Sequence, residues 1–270
     1  MNRKTRPLWG VAPAAFAFGL AGAGMLMSIS SHAAMAENGD AQVILKAMSD
    51  YVSRARDLSV TYDADVEVVT PSVEKIQFSA SGSVTMSRPN KFRMTRTGGY
   101  ADVELVSDGS TVTVLDRDGN RFAQISAAAT FDEVVDRLRT EASVELSGAD
   151  LLLSKPYDAL MAGVLESKHV GRGVVEGVEC EHLAFRNMDT DWQIWIEVGD
   201  RPVPRKYVIT SKAVGAAPQY TLRLRDWKTE INPASDAFVF KPPEGSHGVA
   251  ITVLSNIDEI PAGVIPGGAK

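Results

Sequence analysis

The sequence predicts an α+β fold: one large, curved antiparallel sheet with a few helices over its concave face. Three observations carry this. Apolar and polar residues alternate along extended runs, turn signals recur between the runs, and helical patterns interrupt the alternation in mid-chain. Alternation of period two gives each strand one wet and one greasy side, as in an antiparallel sheet with one face solvated.

The chain opens with Arg3, Lys4 and Arg6, then an apolar stretch over 8–29, then Ala34-Met35-Ala36. A basic start, an apolar middle and a small-x-small site read as a secretory signal peptide cleaved after Ala36. The alternative, an uncleaved membrane anchor, is disfavoured by the Gly/Ala-rich composition and the cleavage site. Cleavage leaves 234 residues, read as one domain over 37–250 and a C-terminal tail over 251–270. The leader takes three of the 28 basic residues and none of the 34 acidic ones, so the remainder stands at 25 against 34, a net −9. So acidic a surface disfavours nucleic acid and anionic membrane surfaces as partners. Cys180 is the only cysteine, so no internal disulfide forms, and it reads as a small buried strand residue.

The elements follow in order. Over 41–58, Ile44, Ala47, Met48, Tyr51, Ala55 and Leu58 recur at helical spacing. Then Val60, Tyr62, Ala64, Val66 and Val68 alternate with Ser59, Thr61, Asp63, Asp65 and Glu67. The run after it alternates likewise, with Ile76, Phe78, Ala80, Val84 and Met86 on the apolar side. Strands with weaker patterns follow at 91–97, 101–107, 111–116 and 121–126, separated by Gly98-Gly99, Asp108-Gly109 and Asp118-Gly119. Thr130-Phe131-Asp132-Glu133 is a capping box and starts a helix with Val134, Val135 and Leu138 on its apolar stripe. A second helix is expected over 156–164, with Pro156 in its first turn, and 149–153 is also compatible with a helix. Strands resume near 165, then at 178–184, 191–198, 204–211 and 219–228; a Pro-rich segment at 241–243 closes the domain, and the tail from Ile251 offers one more strand.

A large twisted sheet curls. Short helices then cover part of its concave face, and either large side chains fill the remainder or a hollow persists for an apolar guest. Periodicity does not decide between the two.

Three stretches carry a resemblance. Ser87-Arg88-Pro89-Asn90-Lys91-Phe92-Arg93 begins the third strand, Leu105-Val106-Ser107-Asp108-Gly109 opens a hairpin, and Phe238-Val239-Phe240-Lys241-Pro242-Pro243-Glu244-Gly245 lies near the end. In this order they resemble the LolA/LolB lipoprotein-carrier superfamily. Asp191-Trp192-Gln193-Ile194-Trp195-Ile196 and Arg201-Pro202-Val203-Pro204-Arg205-Lys206 are similar to a group of predicted periplasmic proteins of unknown function within it. The resemblance spans about 41–246. It implies a LolA-like open half-barrel, its concave face covered by helices, that binds the acyl chains of lipids or lipoproteins in the periplasm. On the apolar face the expected cavity lining is Tyr62, Val66, Phe78, Val84, Met86, Phe92, Met94, Val112, Val114, Ile194 and Ile196. The resemblance further implies that Arg88, with five donors in a planar fork, holds the lid helices shut. The alternative is an envelope signalling or scaffold module binding a protein partner through the outer sheet face, where Trp195, Arg205 and Lys206 lie.

Catalysis is not expected. The chain has no nucleophile elbow and no His-Glu-x-x-His motif. Glu179-Cys180-Glu181-His182 lacks a second ligand pair, so no metal is expected. Asp116-Arg117-Asp118-Gly119-Asn120 has its glycine too early for a calcium loop and reads as a hairpin turn. No cofactor is expected.

Overall fold

The computed structural model describes residues 30–98, 101–142, 144, 146–254, 257, 260 and 264; of 30–39 it describes the backbone alone. The leader expected over 1–36 lies outside the described residues as far as 29, and its last residues are helical. Helix α1 (Ser30–Arg54) leads into six strands: β1 (Asp57–Val69), β2 (Lys75–Ser87), β3 (Lys91–Gly98), β4 (Asp102–Asp108), β5 (Thr111–Asp116) and β6 (Arg121–Ser126). Then come α2 (Phe131–Ala142), a 3-10 turn (Ala149–Leu152) and α3 (Pro156–Met161). Strands β7 (Glu166–Val175), β8 (Val178–Arg186), β9 (Thr190–Glu197), β10 (Pro204–Ser211) and β11 (Gln219–Lys228) complete the meander. The chain ends in a two-residue β12 (His247–Gly248) and a 3-10 turn (Ile251–Val253).

Among the described residues twelve strands form one sheet, ordered β12-β6-β5-β4-β3-β2-β1-β11-β10-β9-β8-β7. Strands β1 to β6 step outward one way. The helices then carry the chain to the far edge, and β7 to β11 step back until β11 pairs with β1 in mid-sheet. Every pairing is antiparallel except β12 with β6. The two outer strands do not pair, so the sheet is the open half-barrel that the resemblance implies.

One core fills the concave side. It joins Leu45, Met48 and Val52 of α1, Phe131, Val134 and Leu138 of α2, and the inward rows of the strands. The capping box forms as expected: the Glu133 amide donates to the Thr130 hydroxyl and the Thr130 amide to the Glu133 carboxylate, both at 3.2 Å. Asp116–Asn120 is a hairpin turn, with the Gly119 amide donating to the Asp116 carboxylate at 2.8 Å.

Three expectations need correction. Helix α1 stops at Arg54, and its buried row is Ala41, Leu45, Met48 and Val52, while Ala47 is exposed. Leu58 belongs to β1, facing inward opposite Met86. It extends the period-two row of Val60 and Tyr62 backward, so counting it as helical carried the helix past its end, while Ile44, Met48 and Tyr51 of the expected stripe do face the core. The helix expected over 156–164 ends at Met161, with Gly163 in the left-handed region at φ 72. The tail adds no strand at Ile251; residues Ile251–Val253 make a 3-10 turn and the last strand precedes them.

The outer face is not uniformly wet. Glu104, Val106, Thr113 and Leu115 point outward from β4 and β5 yet are buried. The segment 236–243 crosses over them: Phe240 packs on Phe122 with ring centroids 5.2 Å apart, and Arg93 donates to the carbonyls of Ala237 (2.7 Å) and Val239 (2.8 Å). Two apolar faces explain the weak alternation of these strands in the sequence.

Candidate functional site

Arg88, Pro89 and Asn90, between β2 and β3, join the sheet to its covering elements. The Arg88 guanidinium donates to the Ala55 carbonyl at the end of α1 (3.1 Å) and to the Leu152 carbonyl at the end of the 3-10 turn (2.9 Å). The Pro89 carbonyl accepts from the Phe131 amide at the start of α2 (2.7 Å). The Asn90 amide donates to the carbonyls of Gly109 (3.1 Å) and Ala128 (2.8 Å). Burial lowers the Arg88 pKa from its ordinary value, and the Asp132 carboxylate works against that shift. Asp132 also accepts from the amide (2.9 Å) and hydroxyl (2.6 Å) of Ser154, fixing α2 to the segment after the turn.

Beneath this cover lies an apolar cavity of about 90 Å³. Its floor is the inward row of the central strands: Val60 and Tyr62, Val84, Met94, Leu105, and Leu222 with Leu224. Its roof is Val144, Leu146, Ala149, Leu151 and Leu152, with Ile257 of the tail closing one side. Gly148, at φ 82, lets the roof settle on the floor; a Cβ there would stand 2.7 Å from Leu222. Ordinary ligand pockets hold roughly 300–1,000 Å³, so the space as it stands takes a few methylenes and a longer chain requires the roof or tail to move.

The expected lining divides three ways. Tyr62, Val84 and Met94 line the cavity. Met86, Phe92, Val112, Val114, Ile194 and Ile196 share its face but are buried in the packed core, with Phe92 edge-on to Phe131 of α2 at 5.4 Å. Val66 and Phe78 face one another across β1 and β2, half-buried and away from the cavity. The sequence reading missed Arg96, the one charged side chain among the described lining residues. Its signal was present: in β3 the inward row runs Phe92, Met94, Arg96, a cation on a greasy face.

A polar pair adjoins the roof. The Tyr207 hydroxyl donates to the Asp150 carboxylate on the 3-10 turn at 3.1 Å. Burial raises the Asp150 pKa, with the Tyr207 bond opposing, and burial raises that of Tyr207 well above its ordinary value. Tyr207 lies edge-on to Trp192 (5.8 Å), which stacks on Phe185 (3.9 Å). On the outer face Trp195 stacks on its cross-strand partner His182 at 4.1 Å, with the Lys206 ammonium 4.7 Å from its ring centre. Cys180 is buried on that same face, and burial raises its pKa. Glu181 faces the other way and accepts from Arg172 (3.1 Å) and pairs with His169 (2.8 Å). No helix among the described residues is long and apolar enough to cross a membrane.

A family model described as predicted periplasmic protein (DUF2092) matches residues 41–252. Among solved structures, LprF from Mycobacterium bovis is 14% identical with a TM-score of 0.47, over 73% of this chain and 96% of that one. The lipoprotein LppX from Mycobacterium tuberculosis is 13% identical with a TM-score of 0.44, over 72% and 98%. A LolA superfamily protein from Nitrosomonas europaea is 11% identical with a TM-score of 0.34, over 74% and 97%. No curated protein sequence matches this chain.

Proposed function

The chain belongs to the DUF2092 family of predicted periplasmic proteins, and from that premise we propose that it is a non-enzymatic periplasmic protein that binds or carries the acyl chains of lipids or lipoproteins. The leader is removed after Ala36 on export. The observation that carries the reading is the apolar cavity between the inward row of the central strands and the 144–152 roof. Apolar cavities stay dry and accept apolar guests, and this one sits under elements that Arg88 and Pro89 join to the sheet. It is the closed form. An acyl chain enters as the roof lifts and takes the place of Leu151 and Leu152 against Val60, Val84 and Leu224.

Arg88 is the lock in this scheme. Its two bonds tie the end of α1 and the end of the roof to the turn between β2 and β3, in mid-sheet. A guest that lifts the roof must break the Leu152 bond, so occupancy and lid position are coupled through differential contacts in the two states.

Lipid recovery tests the reading. The protein is purified from the envelope fraction without detergent, extracted, and the extract examined by mass spectrometry; uptake of a fluorescent fatty acid is titrated in parallel. Co-purifying acyl lipid and saturable uptake are expected. Repeated recovery free of lipid, together with no uptake, overturns it.

A further inference from the structure

Resting on the acyl-binding reading above, we propose that one rim of the half-barrel docks on a zwitterionic lipid bilayer, its apolar hairpin tips entering the membrane interface so that an acyl chain passes between bilayer and cavity along the concave face. Antiparallel pairing puts the β1–β2, β10–β11 and β8–β9 turns and the entry to β7 at one end of the sheet. Each carries a large apolar side chain in solvent: Val73 is 72%, Val214 46%, Met188 76% and Leu165 62% exposed. At the opposite end the turns Glu176-Gly177 and Gly199-Asp200 are polar, and on the same rim so is the β5–β6 turn, Arg117 to Asn120. The apolar tips are thus confined to the stretch of sheet from β2 to β7. Two of these turns also place apolar residues where the backbone ordinarily takes Gly or Asn. Val73 has φ 64, and Ala216 and Ala217 of the β10–β11 turn have φ 64 and 45. A β-branched residue in the left-handed region is strained, and neither the turn nor its hydration gains from valine there. Strain of this kind accompanies function.

Spacing and charge select the partner. Neighbouring turns lie two strands apart, about 10 Å by the usual strand separation. Lone side chains so spaced make no contiguous packed patch of the kind a protein interface is built on, whereas a bilayer interface receives each one separately. The cations beside the tips are already paired: Lys75 with Glu67 (3.1 Å), Lys212 with Asp191 (2.8 Å) and Arg186 with Glu166 (3.4 Å). Glu74 and Asp189 add negative charge in the turns themselves, which disfavours anionic lipid. An apolar row joins the tips to the cavity. Toward the rim from Tyr62 and Leu222 of the floor, Phe78, Val66, Tyr220 and Ile209 stand side by side on β2, β1, β11 and β10, all half-buried. Ile76, exposed, is the next inward residue toward the Val73 turn. A chain drawn from the bilayer stays on hydrocarbon along this row.

The experiment uses protein purified from the envelope fraction and vesicles of phosphatidylcholine, read by flotation and by transfer of a vesicle-borne fluorescent fatty acid. Wild type is expected to float with the vesicles, and the triple variant Val73→Asn, Met188→Gln, Val214→Ser about tenfold less. Asn tolerates the left-handed turn, so the first change relieves strain and the fold is kept. The variant should bind free fatty acid in solution as wild type does, and take it from vesicles about tenfold more slowly. Val174→Ser removes a similarly exposed side chain at the opposite end of β7 and should change neither readout. Wild type that binds free fatty acid but does not float, a triple variant that floats as wild type does, or equal loss in Val174→Ser overturns the docking rim and leaves the acyl-binding reading standing. Flotation that requires added phosphatidylglycerol overturns the zwitterionic partner, and tips that crosslink in cells to one protein in place of lipid overturn the bilayer. Flotation through the tips with no fatty acid bound by wild type keeps the docking and removes the acyl-binding reading.

Discussion

The ring of Tyr62 occupies the space where Gly82 has no side chain, and its hydroxyl donates to the Thr95 carbonyl one strand farther on, at 3.1 Å. Tyr62 and Gly82 are direct cross-strand partners on β1 and β2, so the ring lies across β2 to reach β3. A methyl group at position 82 would collide with both the ring and the Thr95 carbonyl. Gly82→Ala should therefore destabilise the protein by about 1–3 kcal/mol, the usual cost of overpacking, read by urea denaturation. The cost should shrink in a Tyr62→Ala background, where only the carbonyl contact remains. Equal costs in the two backgrounds would show that the ring does not depend on the glycine.

The outer segment makes a second prediction. Phe240 is half-buried against Phe122, over the outward row that contains Val106 and Leu115. Truncating a fully buried Phe costs about 3–5 kcal/mol, so Phe240→Ala should cost roughly half that and raise binding of a hydrophobic dye such as ANS. A melting curve and dye response like those of wild type would mean that the segment lies loosely on the sheet.

This segment also marks where sequence reasoning stopped. The strands of β1 and β9 were legible because Val60, Tyr62 and Ala64, or Trp192, Ile194 and Ile196, alternate without a break. In β4 the run Val103-Glu104-Leu105-Val106 is buried on both sides, and no local pattern says what lies over the second side. The capping box at Thr130 was legible because both of its partners are three residues apart. The end of α1 was not, since Leu58 fits a helical and a strand row equally well. For the cavity, alternation identified the greasy face but not which part of it the helices leave uncovered. Ile194 and Ile196 belong to the same core as Val84 and Met94, but only Tyr62, Val84 and Met94 among the expected residues also border the cavity. That division follows from where α1, α2 and the 144–152 segment dock, a set of contacts between residues far apart in the chain.

Arg88→Leu tests the lock. Two carbonyls, of Ala55 and Leu152, lose their donor, which should cost about 1–3 kcal/mol of stability if they stay buried. Uptake of the fluorescent fatty acid should persist, and its release in stopped-flow dilution should become several-fold faster. Arg88→Lys should restore only part of the difference, because a single ammonium lacks the planar fork that spans both acceptors. Unchanged uptake and release would reduce Arg88 to a structural residue.

Asp150 gives a prediction in pH. Burial lifts its carboxyl above the ordinary carboxylate range, so the folded protein holds the proton more firmly than the unfolded chain. A group whose folded pKa is raised contributes stability that is fully present below its unfolded value, about 3.9 for Asp. That contribution disappears as pH rises through the folded value. At neutral pH the charged form is thus a burden of about 1.4 kcal/mol for each unit of upward shift. Asp150→Asn carries no charge and keeps one acceptor oxygen, which the Tyr207 hydroxyl and the Leu151 amide must then share. The variant should be more stable than wild type at pH 7, and the two should converge as pH falls toward the unfolded carboxylate value. Comparing the pair at each pH cancels the titration of all other groups. Parallel stability profiles from pH 3 to pH 8 would mean that the Asp150 carboxylate is solvated, and the roof of the cavity more open to water than its contacts with Tyr207 imply.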